Sequence, residues 1–342
     1  MSRTLFVGQH PLSRRSFVAG AAAAVFGAGV AGLVGCSSDD ASSAGSFSEG
    51  ASAGRLCIGT LATEDILPFW VAQSEGAFEA AGVNAEVTVF QSATELIAGI
   101  SSGAVQMAMT DIMVSASVFA SGTDLALSWV TLGTTPAQGR FGIQTGPDSG
   151  ITSVGQLAGV PVGVGSNTIL EYVMDVLLER AGLNEGDIVT SELQKLPVRY
   201  QAMMSGEVKA AALPASLLAL GEASGATTLV DDTAGENISQ SVMAVRADWL
   251  EGDGAAVIDT VKGVWNDCAS RVNADPEKYR DLLVQNANLS DAVAKTYVIS
   301  EYPQCMLPTN DMVEPVLEWM RGKGYLTAAL SYDEKTGSFK AE

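Results

Sequence analysis

Imidazole is almost absent from this sequence. The single histidine, His10, falls in a stretch that reads as a removable leader, so the mature chain has none. That excludes Ser-His-Asp and Cys-His nucleophile systems, His-ligated zinc and the commonest general base. Positive charge is also scarce, with 19 Lys and Arg against 39 Asp and Glu. Without Arg3, Arg14 and Arg15 of the leader the balance is 16 basic to 39 acidic residues, a net of −23. Such a surface repels phosphate backbones and argues against nucleic acid as a partner. It leaves room for one local arginine to hold a small anion. Only four cysteines are present, and if Cys36 carries lipid the other three cannot all pair. Cys57 lies in an apolar strand and reads as a small buried side chain. Whether Cys268 meets Cys305 stays open, because sequence gives no distance. No residue pattern calls for a metal or a cofactor.

What is present is apolar matter in quantity. Hydrophobic residues make up 47% of 342 positions, with a mean hydropathy of +0.22. A chain of this size and composition folds around more than one core, so two lobes are expected. Residues 1–36 read as an export signal. Ser13-Arg14-Arg15-Ser16-Phe17-Val18 resembles a twin-arginine pattern, the run from Val18 to Gly35 is uncharged, and Leu33-Val34-Gly35-Cys36 resembles a lipobox. A membrane span is the competing reading, but 18 small residues are marginal for ~30 Å of hydrocarbon. The order of basic flank, small-residue run and cysteine favours lipidation at Cys36. Residues 37–54 are polar and small and read as a tether reaching roughly 20–25 Å. Gly27–Gly32 satisfies G-x-G-x-x-G and Gly50–Gly54 satisfies G-x-S-x-G. Neither has the strand-turn-helix setting such motifs require.

Strands and helices alternate from Arg55 onward, which predicts parallel sheet with helices on its faces. The spacing predicts a helix over 67–78 with Pro68 in its first turn, a strand over 82–90, a helix ending at Ser101, and a strand ending on Thr110-Asp111. Ser102-Gly103 makes the turn between the last two. The same grammar returns at Tyr200-QAMM, Ser205-Gly206, EVKAAAL and Pro214. Each unit ends in a loop at the carboxyl end of a strand, where open α/β sheets bind ligands. Two lobes facing each other would enclose a cleft. Lobe 1 is expected over 55–143 plus 238–325, lobe 2 over 144–237, with a two-crossing hinge and a C-terminal tail over 326–342.

Ala72-QSE-Gly76-Ala77-Phe78, Gly82-Val83 and Glu86-Val87 match the opening pattern of a known group. Asp148-Ser149-Gly150-Ile151-Thr152-Ser153, Leu157-Ala158-Gly159 and Val162-Gly163 match its second-lobe hallmarks. The chain resembles, over about 55–325, the SsuA/THI5-like (NMT1-like) periplasmic-binding proteins, although Gln106 stands where many members carry Asp. The resemblance implies a type II periplasmic-binding-protein-like fold and the receptor subunit of an ABC importer for nitrate-, sulfonate-, taurine- or thiamine-precursor-like solutes. It also implies a permease partner, with the chain itself monomeric, extracytoplasmic and held to the membrane by lipid. The pyrimidine synthases of this group use a histidine and a cysteine-rich iron motif, which the mature chain lacks. A carboxylate-only enzyme, or a ligand sensor without transport, are the alternatives.

Candidate ligand contacts are the loops at strand carboxyl ends. Lobe 1 offers Thr63, Glu64, Asp65, Ser92, Thr94, Thr110, Asp111 and Thr134. Lobe 2 offers Ser166, Asn167, Thr168 and Pro214. Ser166-Asn167-Thr168 follows a Gly-rich strand and opens a helix, so its N–H groups either face an anion or carbonyl, or are capped by the chain itself. Asp111 ends an apolar strand and either meets the ligand or caps the helix over 112–120. Arg140 and Arg199 are the basic side chains near the expected cleft. Either is placed to clamp a carboxylate or sulfonate, or to fix the hinge. Phe69 and Trp70 read as core.

Overall fold

The computed structural model describes residues 54–287 and 289–341. The leader, Cys36 and almost all of the tether lie outside the described residues. Twelve strands among these described residues form two sheets. The first contains β1 (Leu56–Leu61), β2 (Ala85–Phe90), β3 (Met107–Asp111), β4 (Leu125–Leu132), β10 (Ser241–Arg246), β11 (Leu330–Asp333) and β12 (Ser338–Ala341). The second contains β5 (Phe141–Thr145), β6 (Pro161–Val164), β7 (Val189–Glu192), β8 (Ala210–Pro214) and β9 (Thr227–Asp231). Their orders are β11-β12-β4-β10-β3-β1-β2 and β7-β6-β8-β5-β9.

Helices cover the faces of both sheets. They are α1 (Leu67–Ser74), α2 (Ala77–Ala80), α3 (Ala93–Ser101), α4 (Ile112–Ala120), α5 (Ile169–Arg180), α6 (Leu196–Met204) and α7 (Ala215–Ala223). After them come α8 (Ala247–Glu251), α9 (Ile258–Ala274), α10 (Arg280–Asn286), α11 (Asp291–Ala294) and α12 (Asn310–Gly322). Among the described residues no helix is long and apolar enough to cross a membrane.

The apolar runs explain the layering. β4 reads LALSWVTL and is buried at every position, as a strand covered on both faces must be. Trp129 of β4, Phe69 of α1 and Trp265 of α9 meet with ring centroids 5.1–6.0 Å apart. Aromatic burial of this kind stabilises by roughly 1.5–3 kcal/mol per side chain. Phe69 and Trp70 are both core.

The chain passes between sheets twice, after β4 and after β9. The two passages touch. Gly133 has φ +94, and a Cβ there would stand 2.1 Å from the Ser239 carbonyl, so only glycine fits. Asn237 Nδ2 donates to the Gly133 carbonyl at 2.5 Å, and the Phe141 N–H donates to Asp232 at 2.8 Å.

Three local expectations differ from the structure. The helix predicted over 67–78 stops at Ser74, because Gly76 takes φ +70 and restarts the chain as α2. The segment 326–342, expected as a tail, carries the β11–β12 hairpin, which joins the first sheet beside β4. The strand expected from residue 82 begins at Ala85. Cys57, Cys268 and Cys305 are free thiols.

Candidate functional site

The carboxyl edges of β1, β3, β6 and β8 face each other across the two sheets and enclose a cavity of about 60 Å³. Lobe 1 supplies Leu61, Thr63, Asp65, Met109, Thr110, Asp111 and Ser241 to its wall. Lobe 2 supplies Thr168, Ile169, Gln194, Leu196, Arg199 and Pro214. Ser241 opens β10, whose antiparallel direction brings its first residue to the same edge.

Asp111 spans the two lobes. As N-cap of α4 its Oδ1 accepts from the Val114 N–H at 2.7 Å, while Oδ2 accepts from the Ile169 N–H of α5 at 3.0 Å. Burial pushes its carboxyl up to about 6 against the pull of these backbone donors. Asp65 follows β1, the parallel neighbour of β3, and its Oδ1 accepts from Ser241 Oγ at 2.5 Å. No donor among the described residues reaches its Oδ2. Thr63 is 6% exposed, and no partner among the described residues reaches its hydroxyl.

Opposite them Arg199 is 2% exposed. Its guanidinium donates to the carbonyls of Leu193 at 2.8 Å, Ala212 at 3.0 Å and Gln194 at 3.4 Å. No carboxylate pairs with it among the described residues. Burial lowers it to about 10, which leaves it charged at neutral pH.

The structure brings together Thr63, Asp65, Thr110, Asp111, Thr168, Arg199 and Pro214 and leaves the other candidates outside this cavity. Ser92 is consumed as the N-cap of α3, accepting from the Glu95 N–H at 3.2 Å. Thr94 points to solvent on the same helix. Thr134 donates to Gln138 within its own turn at 2.5 Å. Arg140 is spent on Asp231 at 2.7 Å and Glu222 at 2.9 Å, fixing the hinge.

Glu64 turns away into the interior. It accepts from the Tyr297 hydroxyl, its carbonyl accepts from Tyr302 at 2.7 Å, and burial raises its carboxyl to about 8, aided by the charge of Asp65. Ser166 and Asn167 do not present free N–H groups. The Ser166 N–H donates to Glu192 at 3.2 Å and the Asn167 N–H to Glu171 at 2.7 Å. Asn167 instead reaches across the cleft, its Nδ2 donating to Ser117 at 2.6 Å. Ser241 and Gln194 escaped sequence reasoning, because their approach to the cavity depends on partners far away in the chain.

Further contacts hold the lobes together beside the cavity. Lys195 pairs with Glu95 at 3.0 Å. Trp319 Nε1 of α12 donates to Asp175 of α5 at 2.9 Å, and the Tyr325 hydroxyl donates to Glu171 at 2.9 Å. The lobes are therefore seated on each other in a closed arrangement.

The family model described as NMT1/THI5 like matches residues 63–262. Among solved structures, the alkanesulfonate-binding protein SsuA of Xanthomonas axonopodis pv. citri, bound to MOPS, is similar with a TM-score of 0.68 at 18% identity, over 80% of this chain and 94% of that one. The aliphatic sulphonate-binding protein SsuA of Escherichia coli gives 0.66 at 19%, over 80% and 89%. The nitrate-binding protein NrtA of Synechocystis PCC 6803 gives 0.64 at 12%, over 81% and 83%. At such identities these likenesses establish a two-lobed periplasmic-binding-protein fold. No curated protein matches the chain.

Proposed function

The chain belongs to the NMT1/THI5-like family, and on that premise we propose that it is the solute-binding receptor of an ABC importer. It takes a small solute of the nitrate, sulfonate, taurine or thiamine-precursor kind between its lobes, and hands it to a membrane permease. Lipid at Cys36 holds it outside the cytoplasmic membrane, as a monomer at the end of the 37–54 tether.

One observation carries this reading: the cavity is walled by strand ends from both sheets, so a molecule inside it contacts both lobes only when they are closed. Its binding free energy then favours the closed state by the difference in affinity between states. The two adjoining hinge passages give the lobes an axis to turn about.

A thermal-shift screen of the full-length chain in detergent tests it, using nitrate, methanesulfonate, taurine, ethylammonium, methylguanidinium and 4-aminopyrimidine. A solute at a hundred times its Kd stabilises by about 2.7 kcal/mol, which raises the melting temperature by roughly 5 °C for a chain of this size. Flat melting curves with all six reject the receptor reading.

A further inference from the structure

We propose that this cleft selects a small organic cation bearing several N–H donors, seated on Asp65 and Asp111 beside the Thr63 hydroxyl, and that it turns oxyanions away. The inference rests on the receptor reading and narrows its ligand.

The first argument is that the chain's own carboxylates fill the places an oxyanion would take. At the start of α5 the Ser166, Asn167 and Ile169 N–H groups donate to Glu192, Glu171 and Asp111. An incoming sulfonate or nitrate would have to displace carboxylates that already satisfy those donors, two of them (Glu171 and Asp111) buried, and would then lie against them. Arg199 offers little instead, since three backbone carbonyls hold its guanidinium in the wall.

The second argument is the unfilled acceptor capacity of lobe 1. Asp65 is 5% exposed, and among the described residues only one of its oxygens is engaged, by Ser241. The Thr63 hydroxyl beside it is engaged by nothing among the described residues. Both residues line the cavity, and an ammonium or guanidinium group entering there supplies donors and opposite charge together. Asp111 stands on the same wall, so the cavity carries two carboxylates against one guanidinium. The overall charge of −20 draws cations toward the mouth and repels anions. A cavity of about 60 Å³ holds only a few non-hydrogen atoms in this closed arrangement.

Calorimetric titration of the full-length chain in detergent tests the proposal with four probes of matched size: methylguanidinium, ethylammonium, methanesulfonate and nitrate. The proposal expects heat from at least one cation and none from the anions. It also expects Asp65→Asn to weaken the cation roughly 30-fold or more, and Thr63→Val to weaken it roughly 3- to 10-fold. Far-ultraviolet circular dichroism checks that both variants keep the fold.

Binding of an anion with no binding of either cation overturns this proposal and leaves the receptor reading standing. So does a taurine affinity, titrated in the same way as a fifth probe, exceeding that of the cations, because the anionic end would then be gaining from Arg199. Silence from all four probes overturns this proposal, and the receptor reading falls with it only if taurine and 4-aminopyrimidine are silent as well.

Discussion

The two lobes contain the same supersecondary unit, displaced by 103 residues. Helix Ala93–Ser101 corresponds to Leu196–Met204, strand Met107–Asp111 to Ala210–Pro214, and helix Ile112–Ala120 to Ala215–Ala223. The turns between helix and strand use Gly103 and Gly206, both at φ +79, a conformation that suits glycine. Each strand has a parallel neighbour on one side and an antiparallel one on the other. Within that shared frame the charges are exchanged. Where lobe 1 has Leu96 and Asp111, lobe 2 has Arg199 and Pro214. All but Leu96 line the same cavity. Backbone pattern is therefore common property, and the chemistry of the cleft lies in two side chains per unit.

The largest expected effect comes from making lobe 2 resemble lobe 1 at its helix. Arg199→Leu removes the donor to three carbonyls, two of which lie within 3.0 Å of the guanidinium. Leu96 has no such duty; it is 1% exposed in the apolar core. The substitution should cost about 2–4 kcal/mol in urea denaturation, through buried acceptors left without donors. A loss below about 1 kcal/mol would mean that the carbonyls need no guanidinium. Arg199 would then be free to serve a ligand.

The next effect tests the charge that lobe 1 carries and lobe 2 does not. Burial raises Asp111 to about 6, and Glu64 behind it to about 8, while in an unfolded chain both titrate near ~4. Between those values the folded chain holds protons that the unfolded chain has released. Stability is thus greatest on the acid side and falls as pH rises, over about pH 4–6 for Asp111 and about pH 4–8 for Glu64. The slope reaches at most ~1.4 kcal/mol per pH unit for each group. Asp111→Asn should flatten the lower part of the curve and Glu64→Gln the whole span, as read from melting or urea midpoints at each pH. Unchanged slopes in both variants would place the titration elsewhere.

These contrasts also mark how far the sequence could be read. The repeated unit was legible because its signals are local: a Ser-Gly turn, a helical run before it, and an apolar strand cut off by a polar or rigid residue. Thr63, Asp65, Asp111 and Pro214 followed from the rule that ligands meet strand carboxyl ends. Which arginine faces the cleft was not legible. Arg140 is claimed by Glu222 and Asp231, 82 and 91 residues away, and nothing near Arg140 in sequence announces them. Ser241 reaches Asp65 across 176 residues. Asn167 opens the most anion-like turn, yet neighbouring carboxylates close it. The β11–β12 hairpin was hidden for another reason, since a single register pair, Ser338 with Ala126, ties it to β4.

The smallest effect is the reciprocal exchange, Pro214→Asp. Pro214 is the N-cap of α7 and makes no side-chain cap, whereas Asp111 caps α4 from the equivalent position. An aspartate at 214 gains a cap of about 1 kcal/mol and gives up proline's restriction of the unfolded chain, about 0.4–1 kcal/mol in the other direction. The net change should stay within about 1 kcal/mol in urea denaturation. Because the new carboxylate would enter the cavity from the lobe 2 side, it should strengthen a cationic solute and weaken an anionic one without disturbing the fold. A loss of more than about 2 kcal/mol would mean that the two strand ends, alike in backbone, do not offer a side chain the same space.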